Sequence, residues 1–222
     1  MRLYIMRHGE SYGNISGRMI STTDSELTQR GRQQAEQVRR FIGIDFDVVF
    51  SSPLLRAKQT AEIVAQNSKI IIAGELIEMH IGILEGLTWD EISRDYPHIN
   101  TGGMLSALAI PNGESFDDVE LRCKSFVQNN LSGIAADANV LIVTHGITKR
   151  VMINHLLKRA RGHVDHLDWC DNTSYSIIEY SDHAVQLLHL NERQHLVDNG
   201  LCAPSFDEWH RVSDNDYIRL GE

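Results

Sequence analysis

Three short apolar runs in this 222-residue chain end on groups that can bind or attack an anion: "YIMRHG" on Arg7 and His8, "VVFSSPLLR" on Arg56, and "LIVTHG" on His145. Two guanidiniums can fork onto the non-bridging oxygens of a phosphoryl group, and an imidazole can serve as donor, acceptor or nucleophile. If the three run ends meet, Arg7, His8, Arg56 and His145 surround one small anion, and a tetrahedral dianion suits them better than a planar carboxylate. Helix N-terminal amides near Pro53 and Ile147 are expected to add donors. A lone Arg-His-Gly is no signal by itself. A second His-Gly at the end of a second apolar run turns the coincidence into a candidate pocket.

Such a meeting requires the runs to be strands whose carboxyl ends share an edge. Strands are expected over 2–6, 47–50, 69–72 and "NVLIVTHG", with "YSIIEYS" and "AVQLLHLN" as a final antiparallel pair joined by Asp182 and His183. Helices are expected over 27–42, with Val38, Phe41 and Ile42 on one face, then after Ser52 as cap with Pro53 in the first turn. Further helices are expected over 88–95, 115–131 and 147–157. This alternation predicts an α/β fold: a three-layer, open, mostly parallel sheet with helices on both faces and one antiparallel strand. Ligands of such sheets bind beyond the carboxyl ends of the strands, where "RHG" and "THG" would lie.

Length and composition agree with one soluble domain over 1–222, at 42% hydrophobic and 23% charged residues. A formal charge of -9 argues against nucleic acid or an anionic membrane as partner. Runs such as Val140 to Val143 are far too short to span a bilayer, and the N-terminus lacks the features of a signal peptide. Cys123, Cys170 and Cys202 form no C-x-x-C pair and leave an odd thiol, which fits reduced cysteines. A cytoplasmic protein is expected.

Four segments then combine: "RHGES" with Asn14, "SSPLLRAKQTA", "ELIEMHIGILEG" and "VTHG". In this order they resemble the histidine phosphatase superfamily, the phosphoglycerate mutase-like proteins, and the resemblance runs from Leu3 through "DNTSYSIIEY" and "LLHLNERQHL". It implies His8 as nucleophile, with Arg7, Arg56 and His145 around the phosphoryl group. The imidazole must then be neutral, its Nδ1 bonded to a backbone carbonyl so that Nε2 is free to attack. Spacing alone leaves Glu75, Glu78 and Glu85 as equal candidates for the acid and base. The family pattern matches Glu78, Gly82, Glu85 and Gly86, which implies Glu78 as proton donor and base and Glu85 as a supporting residue. Asn14 and Ser11 are implied as substrate contacts, although Ser, Asn and Gly are also ordinary loop residues. Gly113, Glu114 and Ser115 match a family step that a helix N-terminus explains equally well. No cofactor is implied.

The family's mutases carry a basic insertion before the second histidine. Here the stretch from Gly86 to Gly113 holds Arg94 alone among lysines and arginines, and its middle, "NTGGMLSALAI", is small and apolar. It reads as a lid or pocket wall, about 86–113, for a partly apolar leaving group. Leu84 and Gly13 stand where the family often has bulkier residues, which bears on pocket shape. His163, Asp165, His166, Asp168 and Cys170 match no metal-site spacing and read as a solvated loop. The expectation is a metal-independent phosphomonoesterase acting on a small-molecule phosphomonoester. The alternatives are a phosphoglycerate mutase and a non-catalytic phosphate-binding regulatory module. A tail over about 202–222, with Phe206, Trp209 and Tyr217, is expected either to cover the domain or to clasp a second subunit in a homodimer.

Overall fold

The structure, a computed structural model, describes residues 1–99, 109–181 and 184–202. In chain order the elements are β1 (Arg2–Arg7), α1 (Gln29–Ile42), β2 (Val48–Ser51), α2 (Leu55–Val64), β3 (Ile70–Ile72), α3 (Trp89–Asp95), α4 (Phe116–Asn130), β4 (Asn139–Thr144), α5 (Gly146–Leu156), β5 (Tyr175–Tyr180), β6 (Val185–Glu192) and α6 (Gln194–Val197). The six strands form one sheet in the order β3-β2-β4-β1-β5-β6. β1, β2, β3 and β4 pair in parallel, and β5 runs antiparallel to both β1 and β6.

Alternate side chains of the central strands serve two cores. Leu3, Ile5, Val140 and Ile142 pack with Phe116, Val119, Phe126, Val151 and Met152 of α4 and α5. Tyr4, Met6, Leu141 and Val143 pack with Ala35, Val38, Ala57 and Ala61 of α1 and α2. This period of two, with both faces apolar, is what a parallel strand between two helical layers requires. Each such fully buried large side chain contributes about 1.5–3 kcal/mol of transfer free energy.

Local chemistry sets the helix ends. Thr28 accepts from the Gly31 N–H, and Gly43, at φ 63°, closes α1 in the left-handed conformation. Thr88 and Ser115 form capping boxes with Glu91 and Asp118. Ser115 therefore takes the helix-cap role that the sequence allowed for it.

Some expectations are corrected. Helix α2 begins at Leu55, with Leu54 as its first flanking residue and no side-chain cap. Ser52 and Pro53 precede it, because the Ser52 hydroxyl is turned to the Leu54 N–H (3.3 Å) and to His145 (2.7 Å). Phe41 is 45% exposed, off the buried face of α1, with the His195 ring 5.9 Å away. The 163–170 segment keeps His163, His166 and Asp168 in solvent as expected, but it is a 3-10 turn, Arg161–His166, with the stretch after it, and it buries Val164, Leu167 and Cys170. Within the 86–113 segment, Ile92, Ile99 and Ile110 join Ile81 and Leu84 in a small separate core, while 100–108 lie outside the described residues. So do the expected Asp182–His183 turn and the tail beyond 202. No described helix is long and apolar enough to cross a membrane.

The glycine of "RHG" has a packing reason. A Cβ on Gly9 would sit 2.6 Å from Gly31 O, since the exit of β1 meets the start of α1 backbone to backbone. Gly9→Ala is therefore expected to lose about 1–3 kcal/mol of stability, read from urea midpoints; an unchanged midpoint would show that the two segments can separate freely.

Candidate active site

Sheet register brings the ionisable groups together. Arg7 is paired with Thr144 and Ser51 with Val143, so His8 and His145 leave adjacent strands at one level and Ser52 leaves the third strand one residue below them. The His8 N–H donates to Thr144 O (3.0 Å) and the Ser52 N–H to Val143 O (3.0 Å). The His8 and His145 ring centres are 5.0 Å apart. Arg56, in the first turn of α2, donates from Nε to His8 Nε2 (3.3 Å). Arg7, His8, Arg56 and His145 thus lie together at the carboxyl edge, all buried.

The partners of His8 settle its tautomer. Nδ1 lies 2.7 Å from the Gly9 carbonyl, which can only accept, and Nε2 faces an Arg56 N–H, which can only donate. The proton is on Nδ1 and the lone pair on Nε2. Burial first, then the Arg56 and Arg7 charges, holds His8 well below the ordinary imidazole value, against the opposing hydrogen bond to Gly9. Burial, with His8 and the surrounding arginines, does the same to His145. His145 Nε2 meets the Ser52 hydroxyl at 2.7 Å, and its Nδ1 has no partner among the described residues.

Each arginine is held by backbone carbonyls. Arg7 donates to Cys170 O (2.6 Å), its guanidinium lies 5.4 Å from the centre of the Trp169 ring, and its Nε has no partner among the described residues. Arg56 donates to Thr23 O (3.1 Å) and Ser21 O. That loop is tied down by Glu85, whose carboxylate accepts from the Ser21 N–H and hydroxyl and from the Thr23 N–H. Burial works against the Glu85 charge, yet these hydrogen bonds outweigh it and hold its carboxyl below the usual value. Glu85 thus supports Arg56 from behind.

Of the three glutamates, Glu78 enters the pocket. It is buried, and its carboxylate accepts from the N–H groups of Met79 (2.9 Å), Ile147 (3.1 Å) and Thr148 (3.1 Å). Glu75 sits half-buried in the turn Gly74–Leu76 and meets Arg122 through its carbonyl. The α5 amides expected to await an anion are thus occupied by Glu78, and the Leu55 N–H of α2 is taken by Asp24 (2.7 Å). The favourable N-terminal field is used to seat an acidic side chain.

Asn14 Oδ1 accepts from the Ser11 N–H (3.0 Å), the Ser11 hydroxyl (3.2 Å) and Asn172 Nδ2 (3.1 Å). Ser11 is buried beneath this contact and Asn14 is at the half-buried rim. Asn172, Thr173 and Trp169 are not singled out from sequence; the only signal near them is that Asn172 and Thr173 open the "DNTSYSIIEY" segment of the resemblance. Asn172 Nδ2 also donates to His8 O (3.0 Å), and the Thr173 N–H donates to Arg7 O and His8 O. Among the described residues no group of three His, Cys, Asp or Glu side chains is placed to hold a metal ion.

The buried imidazoles have a consequence for stability. His195, hydrogen-bonded to the Thr173 hydroxyl, is lowered to about 4, chiefly by burial, and His8 and His145 are lowered with it. Unfolded, these rings take up protons near pH 6.5, so below that value the unfolded chain binds more protons and stability falls with pH. Urea midpoints are expected to decline as pH drops from about 6.5 to about 4.5, less steeply in His195→Gln. A flat wild-type profile would mean that the rings are already charged in the folded protein.

An open, mostly parallel sheet with two arginines, two neutral imidazoles and a carboxylate at its carboxyl edge defines an α/β fold with a pocket suited to a small anion. Residues 3–193 match the model of the histidine phosphatase superfamily (branch 1), and the chain belongs to that family. It is 30% identical over 205 residues to phosphoserine phosphatase 1 of Hydrogenobacter thermophilus, covering 88% of this chain and 94% of that protein. It is 31% identical over 163 residues to a probable phosphoglycerate mutase GpmB of Erwinia tasmaniensis, covering 71% and 75%. Among solved structures, a mycobacterial glucosyl-3-phosphoglycerate phosphatase superposes with a TM-score of 0.80 at 26% identity, over 86% of this chain and 99% of that one. The family and its phosphatase relatives support a phosphatase.

Proposed function

We propose that the protein is a metal-independent phosphomonoesterase that hydrolyses a small organic phosphate through a phosphohistidine on Nε2 of His8. The observation that carries this reading is the pair of hydrogen bonds on His8, which leaves a neutral ring with its Nε2 lone pair facing Arg56. In the first step Glu78, which takes up a proton as the anionic substrate binds, gives that proton to the departing alkoxide while Nε2 attacks phosphorus and the ester P–O bond breaks. In the second, Glu78 takes a proton from water, whose oxygen attacks the phosphohistidine; the P–N bond breaks and returns a neutral His8 with inorganic phosphate. Arg7, Arg56 and His145 balance charge on the equatorial oxygens, and Asn14 with Ser11 contacts the substrate at the rim. Arg56 exchanges its bond to Nε2 for a phosphoryl oxygen as substrate enters.

Hydrolysis is favoured over transfer by the scarcity of basic residues between Gly86 and Gly113, where the far end of a bisphosphorylated acid would need counter-charge. The test is phosphate release from a panel of phosphomonoesters with EDTA throughout, alongside isomerisation of 3-phosphoglycerate with its bisphosphorylated primer. Release that survives chelation, with no isomerisation, is expected. Isomerisation without release would make the protein a mutase, and release abolished by EDTA would end the metal-independent reading.

A further inference from the structure

Lys149 is fully buried one turn into α5, four residues after His145. Its ammonium donates to Ser174 O (2.9 Å) and to Ser174 Oγ (3.3 Å). Among the described residues it forms no ion pair with a carboxylate. Ser174 O is also the acceptor for the Arg7 N–H (3.1 Å), and the neighbouring Thr173 N–H and Asn172 side chain hold the carbonyls of Arg7 and His8. One short turn, 171–174, therefore carries the backbone of both residues, and Lys149 is its buried anchor. An unpaired ammonium inside a protein costs stability that an apolar chain of similar length avoids.

We propose that Lys149 is a positioning residue of the phosphoryl pocket: through Ser174 it fixes the Arg7–His8 backbone, and its ammonium strengthens binding of the phosphoryl dianion. This rests on the reading of the pocket given above. The titratable and charged groups facing it are Arg7 from β1 and Cys170 and Asp171 from the segment before β5, with Asp171 paired to Arg193 (2.7 Å). His145, on its own helix, is neutral. Burial lowers Lys149 to about 8; Cys170 and Asp171 oppose the shift and Arg7 adds to it. The ammonium is therefore present at neutral pH and lost in mild alkali, within the range where the phosphoryl group stays dianionic.

The experiment is calorimetric binding of inorganic phosphate by the full chain at about pH 7.5 and about pH 9.5, in wild type, Lys149→Met and Lys149→Arg. Wild type is expected to lose about tenfold in affinity across that interval. Lys149→Met is expected to be weaker by a similar factor at the lower pH and indifferent to the rise. Lys149→Arg, charged throughout, is expected to bind equally at both. Lys149→Met loses both hydrogen bonds to Ser174 and is expected to melt somewhat lower on either account; a merely structural lysine would lower the melting temperature and leave phosphate affinity and its pH dependence alone. Wild-type affinity in Lys149→Met, or the same alkaline fall in Lys149→Arg as in wild type, overturns the proposal. Should Lys149→Met not fold, the comparison of wild type with Lys149→Arg decides. Phosphate binding needs no turnover. Lys149-dependent binding in a chain that hydrolyses nothing would uphold this inference and retire the hydrolase, whereas His8-dependent hydrolysis with binding indifferent to Lys149 would do the reverse.

Discussion

Replacing His8 with alanine is expected to lower phosphate release at least about 10⁴-fold and to remove any acid-labile phosphoprotein. The loss is that large because the remaining groups can hold a phosphoryl group without accepting it. His145, the nearest other imidazole, has Nε2 engaged by the Ser52 hydroxyl at 2.7 Å and is placed to donate or accept a hydrogen bond. Arg7 and Arg56 keep their carbonyl anchors on Cys170, Ser21 and Thr23 without His8, so phosphate binding should persist. Quench-flow acid precipitation after mixing with a labelled monoester measures the phosphoenzyme directly. Appreciable turnover in His8→Ala, or an acid-labile adduct that remains, would move the nucleophile elsewhere.

Glu78→Gln is expected to lower kcat/KM for an alkyl phosphate by about 10²- to 10⁴-fold. With p-nitrophenyl phosphate the loss in the first step should be much smaller, since nitrophenolate departs without a proton. Breakdown of the phosphohistidine still lacks its base, so a burst of nitrophenolate should precede a slow steady rate. Equal losses for both esters without a burst would assign the proton to another group. The substitution also has a structural cost. Glu78 accepts on one oxygen from Met79 and Thr148 and on the other from the Ile147 N–H. The Gln amide can accept on one side only, so one N–H of α5 is left facing a donor, at about 1–3 kcal/mol. A thermal melt of the variant separates that cost from the kinetic one.

The same glutamate marks where sequence reading stops. Glu75, Glu78 and Glu85 are equivalent by spacing, and only the family pattern ranked them. The fold separates the three: Glu85 faces Ser21 and Thr23, Glu75 is half-buried in its 3-10 turn, where its carbonyl meets Arg122, and Glu78 meets the first turn of α5, some 70 residues further along the chain. The α5 amides, which sequence reasoning offered to the substrate, are Glu78's partners for the same reason. Trp169 aside, the missed residues are of one kind. Asn172, Thr173 and Lys149 act through backbone carbonyls across the sheet, and a hydrogen bond to a main-chain oxygen leaves no mark in residue type or period.

By itself the amino-acid order determined the strands and helices, because a period of two or 3.6 and a capping residue are local properties that burial then reinforces. It also determined that Arg7, His8 and His145, with Arg56 in the helix that follows β2, gather at one edge, because parallel strands joined by helices all point their carboxyl ends the same way. Only the tertiary structure decided the register that sets His8 beside His145, the tautomer of His8, the seat of Glu78 on the first turn of α5 and the buried support beneath Arg7. Those depend on distances between segments up to 164 residues apart, and such distances come from packing the sheet and its two helical layers together.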